Sequence, residues 1–331
     1  MAYKRKTKEE LQQEVTQLMG QMDTAIQDYV ADPDKMKELL QFMSTFHTYS
    51  ANNQLLIQTQ YPGATCVASY KQFQDRGFSV QKGEKGIRIY RPNTVRLFQT
   101  SGQEWKLVSQ ATPTEKKQIQ RGDVLTKRVQ HFKLTSVFDI SQTNAQPEDV
   151  PDLLPNRPER FETEEDIEIF NAALRELSEE KGIQVYSFDE VASLNIRLGA
   201  AKGAYVQSET GEQMIVIKAD PTTTDYAHTL IHEMAHAHMH HGSQQDHLMT
   251  EDKEYQAEMA AYVVSEHFGL DTWDFSEAYI ANWTQNGQQL ENARELLKRV
   301  GEFSHQLIPE VAEKKEAILE REEAEEWERS H

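Results

Sequence analysis

Thr229-Leu230-Ile231-His232-Glu233-Met234-Ala235-His236-Ala237-His238-Met239-His240-His241-Gly242 is the stretch from which the chain is best read. It contains the pattern His232-Glu233-x-x-His236. Residues four apart on a helix share a face, so the two imidazoles can reach one metal ion. Glu233 stands about 100° further round the helix. That puts its carboxylate beside an ion rather than on it, where it can take a proton from an attacking water. Leu230, Ile231, Met234, Ala235 and Ala237 supply an apolar side, and Gly242 supplies a stop.

A third candidate ligand lies further along. After the polar segment 243–252, the run from Glu254 to Val264 reads as a second helix. Glu254 projects from its first turn toward the metal helix. Glu258, one turn later, is placed to hydrogen-bond a ligating His or to orient Glu254. Two His and one carboxylate with a fourth position open make a catalytic zinc arrangement, whereas a structural zinc takes four protein ligands and has no use for Glu233. His228 and His240 extend the stripe, but each four-residue step rises about 6 Å along the axis. They are therefore expected to be supporting or surface groups, and His238, His241 and His247 have no expected part in the site. Tyr205 and Tyr262 are candidates for stabilising an oxyanion.

The 331 residues suffice for two domains, each with its own core. A single cysteine, Cys66, excludes an intramolecular disulfide and suits a reducing cytosol, so a cytoplasmic location is expected. No apolar run is long enough for a membrane span, and neither membrane association nor a signal peptide is expected. The net charge of −19 is unevenly spread. Residues 1–145 carry 20 Lys and Arg against 14 Asp and Glu; residues 146–331 carry 15 against 40. Halves of opposite sign point to modules with different partners, and the acidic half is unsuited to nucleic acid.

Along the chain, Leu11, Val15, Leu18, Met22, Ile26 and Tyr29 mark an amphipathic helix. Ala31-Asp32-Pro33-Asp34 breaks it and caps a second helix through Met36, Leu39, Leu40, Met43 and Phe46. A third holds Asn52 to Ile57. Thr65 to Tyr70 is β-prone, 77–90 reads as strand, Gly-rich turn and strand, and 95–108 and 131–140 add strands around a polar insertion at 115–127. Within 71–140 cations are interleaved with Phe73, Phe78, Tyr90, Phe98, Trp105 and Phe132, with Tyr70 just before them. A single-strand nucleic-acid surface needs that mixture, with cations following phosphates and rings stacking on bases; a core of aromatics under a solvated charged face gives the same mixture.

Residues 144–160 hold Pro147, Pro151, Pro155 and Pro158 among polar residues and read as a linker. Thr163 and Asp166 form a capping-box variant opening a helix that Gly182 ends. Ile183–Tyr186 is a short strand, and 203–208 with 213–218 is a hairpin feeding the metal helix, placed either to close a sheet or to bind an extended substrate by strand addition. An apolar helix face from Leu290 to Leu307 is interrupted by Pro309, and 310–331 is an acidic tail.

Several motifs carry a resemblance. Tyr49-Ser50-x-Asn52-Asn53-Gln54-Leu55-Leu56-Ile57, Pro62-x-Ala64-Thr65-x-Val67-Ala68-x-Tyr70, Lys82-Gly83-Glu84-Lys85-Gly86-Ile87 and Val137-Phe138-Asp139-Ile140-Ser141-Gln142-Thr143 resemble the N-terminal domain of ArdC-type antirestriction proteins and LtrC-like proteins of conjugative elements. In that family this domain binds single-stranded DNA and a zinc-metallopeptidase-like domain follows. The resemblance implies Asn52, Asn53, Tyr70, Lys82 and Lys85 as the DNA surface; Asn52 and Asn53 fit helix capping equally. Residues 202–262 resemble the same family's C-terminal half and, more distantly, the ImmA/IrrE metallopeptidases. In these a helix bearing Glu-x-x-Ala follows HExxH, matched by Glu254-x-x-Ala257. That resemblance implies Glu254 as third ligand, with Glu258 supporting it.

The expectation is thus an α+β chain of two domains. Residues 1–145 form helices plus a small antiparallel sheet that binds single-stranded DNA, 146–160 a Pro-rich linker, and 161–331 a gluzincin-like zincin domain with an acidic helical tail. His232, His236 and Glu254 hold Zn²⁺, Glu233 acts as the base, and the substrate is a protein. Two competing readings are a non-enzymatic strand-protecting antirestriction protein with structural zinc, and a regulatory protease that cleaves a repressor.

Overall fold

The computed structural model describes residues 7–100, 102–146, 149, 161, 163–191, 196, 198, 199, 201–208, 210–240, 249–286 and 290–330. Nearly all of the Pro-rich linker, together with His241 and His247, lies outside these. The chain divides into two compact units, one formed by Met1–Thr65 with Pro151–His331 and one by Cys66–Val150. No helix among the described residues is long and apolar enough to cross a membrane.

In the first unit, α1 (Lys8–Val30) starts at a capping box of Thr7 and Glu10 and buries Leu18, Met22, Ile26 and Val30. α2 (Pro33–Thr45) opens on Asp32, whose side chain accepts from the Asp34 and Lys35 amides, with Pro33 in the first helical position. α3 (Ala51–Gln60) follows after a short turn. These helices were expected to belong with the sheet that follows; instead they join the C-terminal half. The physical reason is where their apolar faces find cover. Leu39, Leu40, Met43, Leu55 and Leu56 are buried, against helices from the end of the chain. A Cβ on Gly301 would come within 2.7 Å of Ala51 Cβ, so only glycine allows α3 and the last helix this close approach.

The other elements of this unit are α6 (Glu164–Glu180), β5 (Ile183–Ser187), β6 (Gly203–Gln207), β7 (Gln213–Ile217), α7 (Thr224–Met239), α8 (Thr250–His267), α9 (Trp273–Asn286) and α10 (Leu290–Ser330). The sheet runs β5-β7-β6, with β5 parallel and β6 antiparallel to β7, so β6 is an outer strand. α10 passes through Pro309 without ending, contrary to the sequence reading. Leu307, Ile308 and Val311 are buried around it, and this packing outweighs the one missing amide.

The second unit holds β1 (Val67–Ala68), α4 (Tyr70–Asp75), β2 (Ile87–Gln99), β3 (Trp105–Leu107), α5 (Pro113–Arg121) and β4 (Thr126–Asp139), in one antiparallel sheet of order β1-β4-β2-β3. The expected hairpin over 77–90 does not form. Val80 makes only an isolated bridge to Thr143, and β2 pairs along its length with β4. Asp139 explains why the Val137–Thr143 motif is shaped as it is. Its buried carboxylate accepts from the Cys66 amide at 3.1 Å, the Ser141 amide at 3.0 Å and the Ser141 hydroxyl at 2.6 Å. Gln142 then donates to Glu84 and to the Lys85 carbonyl, pinning the turn before β2. Asp139→Ala removes the acceptor that the Cys66 amide and both Ser141 donors share, and we expect it to lower stability by about 2–3 kcal/mol; denaturant unfolding followed by circular dichroism checks this, and an unchanged midpoint would refute it.

Candidate metal centre

α7 is held at its start before any site is built. Thr223 caps its start by accepting from the Tyr226 amide. Buried Asn171 of α6 donates to the carbonyls of Pro221 and Thr223, fixing the approach to that cap. The helix then packs α8 along its length, with Leu230, Ile231, Ala257 and Ala261 at or near zero exposure. This pairing carries Glu254 to the two His.

Nε2 of His232 and Nε2 of His236 lie 3.0 Å apart, and each is 3.4 Å from a carboxylate oxygen of Glu254. Among the described residues these three side chains are the one group whose donor atoms converge in this way, all within 4.8 Å. Tetrahedral bonds of about 2.0–2.1 Å give ligand–ligand edges of about 3.3 Å, so the donor triangle fits a zinc-sized divalent cation. Two imidazoles and one carboxylate also leave a fourth tetrahedral position without a protein ligand. Burial would lower His232, but hydrogen bonds to Glu254 and Glu258 hold it up at about 10. Hydrogen bonds from the two His press the Glu254 carboxyl well below the usual carboxylate range.

Behind the triangle sits a second layer of partners. Glu258 is buried and accepts from Nδ1 of His232 at 3.0 Å, Nε2 of His228 at 2.9 Å and the Ser276 hydroxyl at 2.7 Å. Burial would raise its carboxyl, but the bonds from His228 and His232 bring it down to about 2. His236 has its own support: its Nδ1 meets Nδ1 of His240 at 2.9 Å, and Nε2 of His240 meets Gln256 Oε1 at 2.8 Å. Burial drives His240 down to about 4, so at neutral pH it is uncharged. It can then accept from His236 and donate to Gln256, leaving Nε2 of His236 with its lone pair toward the cation site.

Glu233 is buried beside the triangle, and its Oε2 accepts the Tyr205 amide of β6 at 2.7 Å. Desolvation raises its carboxyl, against the pull of His232, His236 and that amide. A Cβ on Gly203 would sit 2.7 Å from Thr229 Cγ2 and 3.2 Å from Glu233, so the strand can lie on the helix here only with glycine. A cleft of about 770 Å³ opens over these groups, lined among others by Lys202, Tyr205, Lys253, Asp274 and Phe275.

The structure brings together His232, Glu233, His236, Glu254 and Glu258, as the sequence reading placed them. It separates the two tyrosines. Tyr205 lines the cleft with its hydroxyl donating to Gln213, while Tyr262 is fully buried against Trp273 and is no oxyanion contact. His238 packs on Phe303. Ser276, Gln256 and the Tyr205 amide were not read from sequence. Gln256 shares the helix of the Glu-x-x-Ala motif and was findable there; a serine on a following helix and a backbone amide leave no signal. The residues implied as a DNA surface do not share one unit. Asn52 and Asn53 stand on α3 in the first, Asn53 buried, and neither caps that helix, which begins after Ser50 without a side-chain bond. Tyr70, Lys82 and Lys85 are exposed in the second unit, Tyr70 edge-on to Phe138.

Comparison with known proteins divides the chain by sequence, with the first match running across both compact units. Residues 6–138 match the family of the N-terminal domain of anti-restriction factor ArdC, and residues 179–300 match the IrrE N-terminal-like domain of the peptidase M78 family. An uncharacterized protein of Bacillus anthracis is 36% identical over 97% of this chain, which spans 55% of that relative's length. Two solved structures of the antirestriction ArdC protein from the R388 plasmid, metal-free and Mn(II)-bound, are each 17% identical over 81% of this chain, covering 86% and 85% of theirs, with TM-scores of 0.45 and 0.42. Two separate stretches of the chain thus match two different family models, the first that of the ArdC N-terminal domain and the second that of the IrrE-like peptidase M78 domain.

Proposed function

We propose that this chain is a single-stranded DNA-binding antirestriction protein of a mobile genetic element that also carries a zinc-dependent peptidase site. The observation that supports the peptidase reading most is the convergence of His232, His236 and Glu254 with Glu233 held beside them. A bound Zn²⁺ would supply Lewis-acid polarisation of the scissile carbonyl and acidify the attacking water. The protein's own groups do the rest. Glu233, oriented by the Tyr205 amide, takes the proton of the water and returns it to the leaving amine. Glu258 and His240 fix the ring tautomers of His232 and His236. β6 is an outer strand along the cleft, so an extended peptide can pair with it next to Glu233.

Three measurements test this reading. Glu233→Gln is expected to keep zinc and fold but abolish zinc-dependent cleavage of a peptide library, since it removes a base and no ligand; cleavage at the wild-type rate would overturn the mechanism. The absence of zinc-dependent cleavage by the wild type, with and without single-stranded DNA, would overturn the peptidase assignment itself.

The ligand set has its own readout in chelator competition for zinc. Glu258→Ala and His240→Ala are each expected to weaken binding about 10- to 100-fold, and Glu254→Ala considerably more. Equal losses for Glu254→Ala and Glu258→Ala would remove Glu254 from the ligands.

For the DNA reading, the whole protein is expected to bind an oligothymidine of about twenty nucleotides with an affinity that falls steeply with salt. Lys82→Ala with Lys85→Ala should flatten that salt slope by about 1.4, at about 0.7 per single-strand phosphate contact; an unchanged slope removes those lysines from the surface.

A further inference from the structure

β2 and β4 form a two-stranded ribbon whose two ends are packed and whose middle is not. At one end Ile87, Ile89 and Val137 are buried; at the other Phe98 joins Ala111 and Ile119 in a small cluster. β1 reaches β4 only at residues 138–139, and β3 reaches β2 only at 97–99. Between these points Arg91–Thr94 and Arg96 on one strand, and Arg128–Lys133 on the other, are exposed, so both faces of the ribbon are open to solvent.

The charge on this stretch is of one sign. Residues 87–99 and 126–138 contain Arg88, Arg91, Arg96, Lys127, Arg128 and Lys133 and no Asp or Glu. The register sets like charges directly opposite one another twice, Arg91 against Lys133 and Arg96 against Arg128. Such pairs destabilise a sheet, and these two segments hold no carboxylate to offset them. Phe132, 64% exposed, lies opposite Pro92 and on the same face as the Arg96–Arg128 pair. That face also carries Arg88, so the ring has cations four residues away in both directions, about 13 Å along a strand. Charges on open strands also guard against strand pairing. That purpose does not call for unmixed cations in register, and an exposed Phe works against it.

We propose that the middle of this ribbon, residues 91–96 with 128–133, is a contact surface for single-stranded nucleic acid. It rests on the DNA-binding reading above and assigns that reading a place beyond Tyr70, Lys82 and Lys85. The phosphates neutralise the opposed cations, and Phe132 stacks on an unpaired base, which a duplex keeps covered. A two-stranded ribbon also fits the major groove of a duplex, so duplex is an arm of the test.

The experiment uses the full chain and fluorescence anisotropy with a labelled oligothymidine of about twenty nucleotides, over a range of salt. Replacing Arg91, Arg96, Arg128 and Lys133 together by Ala is expected to cost at least about ten-fold in affinity and to flatten the slope of log Kd against log salt by about 2–3. Phe132→Ala should cost about ten-fold with the slope unchanged. Replacing the three arginines by Lys should retain the wild-type slope, which separates loss of charge from loss of fold. If the wild type fails to bind at all, the DNA-binding reading falls. If the wild type binds and the fourfold variant binds as well with the same slope, the ribbon is overturned and that reading stands. Equal binding of a blunt duplex, insensitive to Phe132→Ala, would overturn the single-strand assignment.

Discussion

One buried carboxylate organises the candidate metal centre. Glu258 is inside the protein, where an unpaired charge is prohibitively costly, and it accepts from His228, His232 and Ser276 together. Those three donors come from α7 and α9, and the acceptor from α8. The carboxylate therefore fixes the rotation of α8 about its axis relative to α7. Once that rotation is set, Glu254, one turn earlier on α8, has to face the same side of α7 as His232 and His236. The triangle of donor atoms is thus a geometric consequence of satisfying Glu258, in addition to whatever a cation would contribute. His240 and Gln256 repeat the device one turn along with neutral groups, which cost far less to bury.

The N-terminal helices are part of this support. Ser44, at the end of α2, offers its carbonyl to His267 of α8, and His47 offers its own to His305 of α10. Gln41 donates to Glu266. Burial and the neighbouring His267 push His47 down to about 4, and burial lowers His267 as well. His47 is therefore neutral at physiological pH, and the pair can sit with ring centroids 4.4 Å apart without charge repulsion. The far end of α8 is anchored by residues that sequence order assigns to another domain. Removing residues 1–65 or 1–145 would thus strip cover from the helix that carries Glu254 and Glu258.

Which parts of this were legible follows from the range of the forces involved. The four-residue spacing of His232 and His236, the Thr163–Asp166 cap and the Asp32-Pro33 start are local, and the structure has them where the sequence puts them. Glu254 was legible because its motif lies on a single helix. The misses were decided by partners distant in sequence. Residues 77–90 look like a hairpin locally, but β2 has a longer and better partner in β4, forty residues on, and takes it. Pro309 should end a helix, yet apolar burial on both sides carries α10 through. The boundary near residue 145 follows composition and agrees with the family match over residues 6–138, while compactness follows apolar faces, and those of α2 and α3 close on the C-terminal helices.

The charge asymmetry has a similar explanation once the units are redrawn. The acidic residues of the tail lie on α10, where Lys314 pairs with Glu180 and Arg321 with Glu176 of α6, and its outer face is solvated. Exposed pairs of this kind contribute little to stability, so the tail's excess of acid is tolerated because water solvates it. The cations of β2 and β4 are tolerated for the same reason but are arranged differently. The tail mixes basic residues among its acids at helical spacing, whereas the ribbon opposes cation to cation across a fixed register. Solvation explains why such a ribbon can exist in the folded state; it does not explain why no acid interrupts it. A polyanion laid along the strands would, since every interrupting carboxylate would then repel what the ribbon holds.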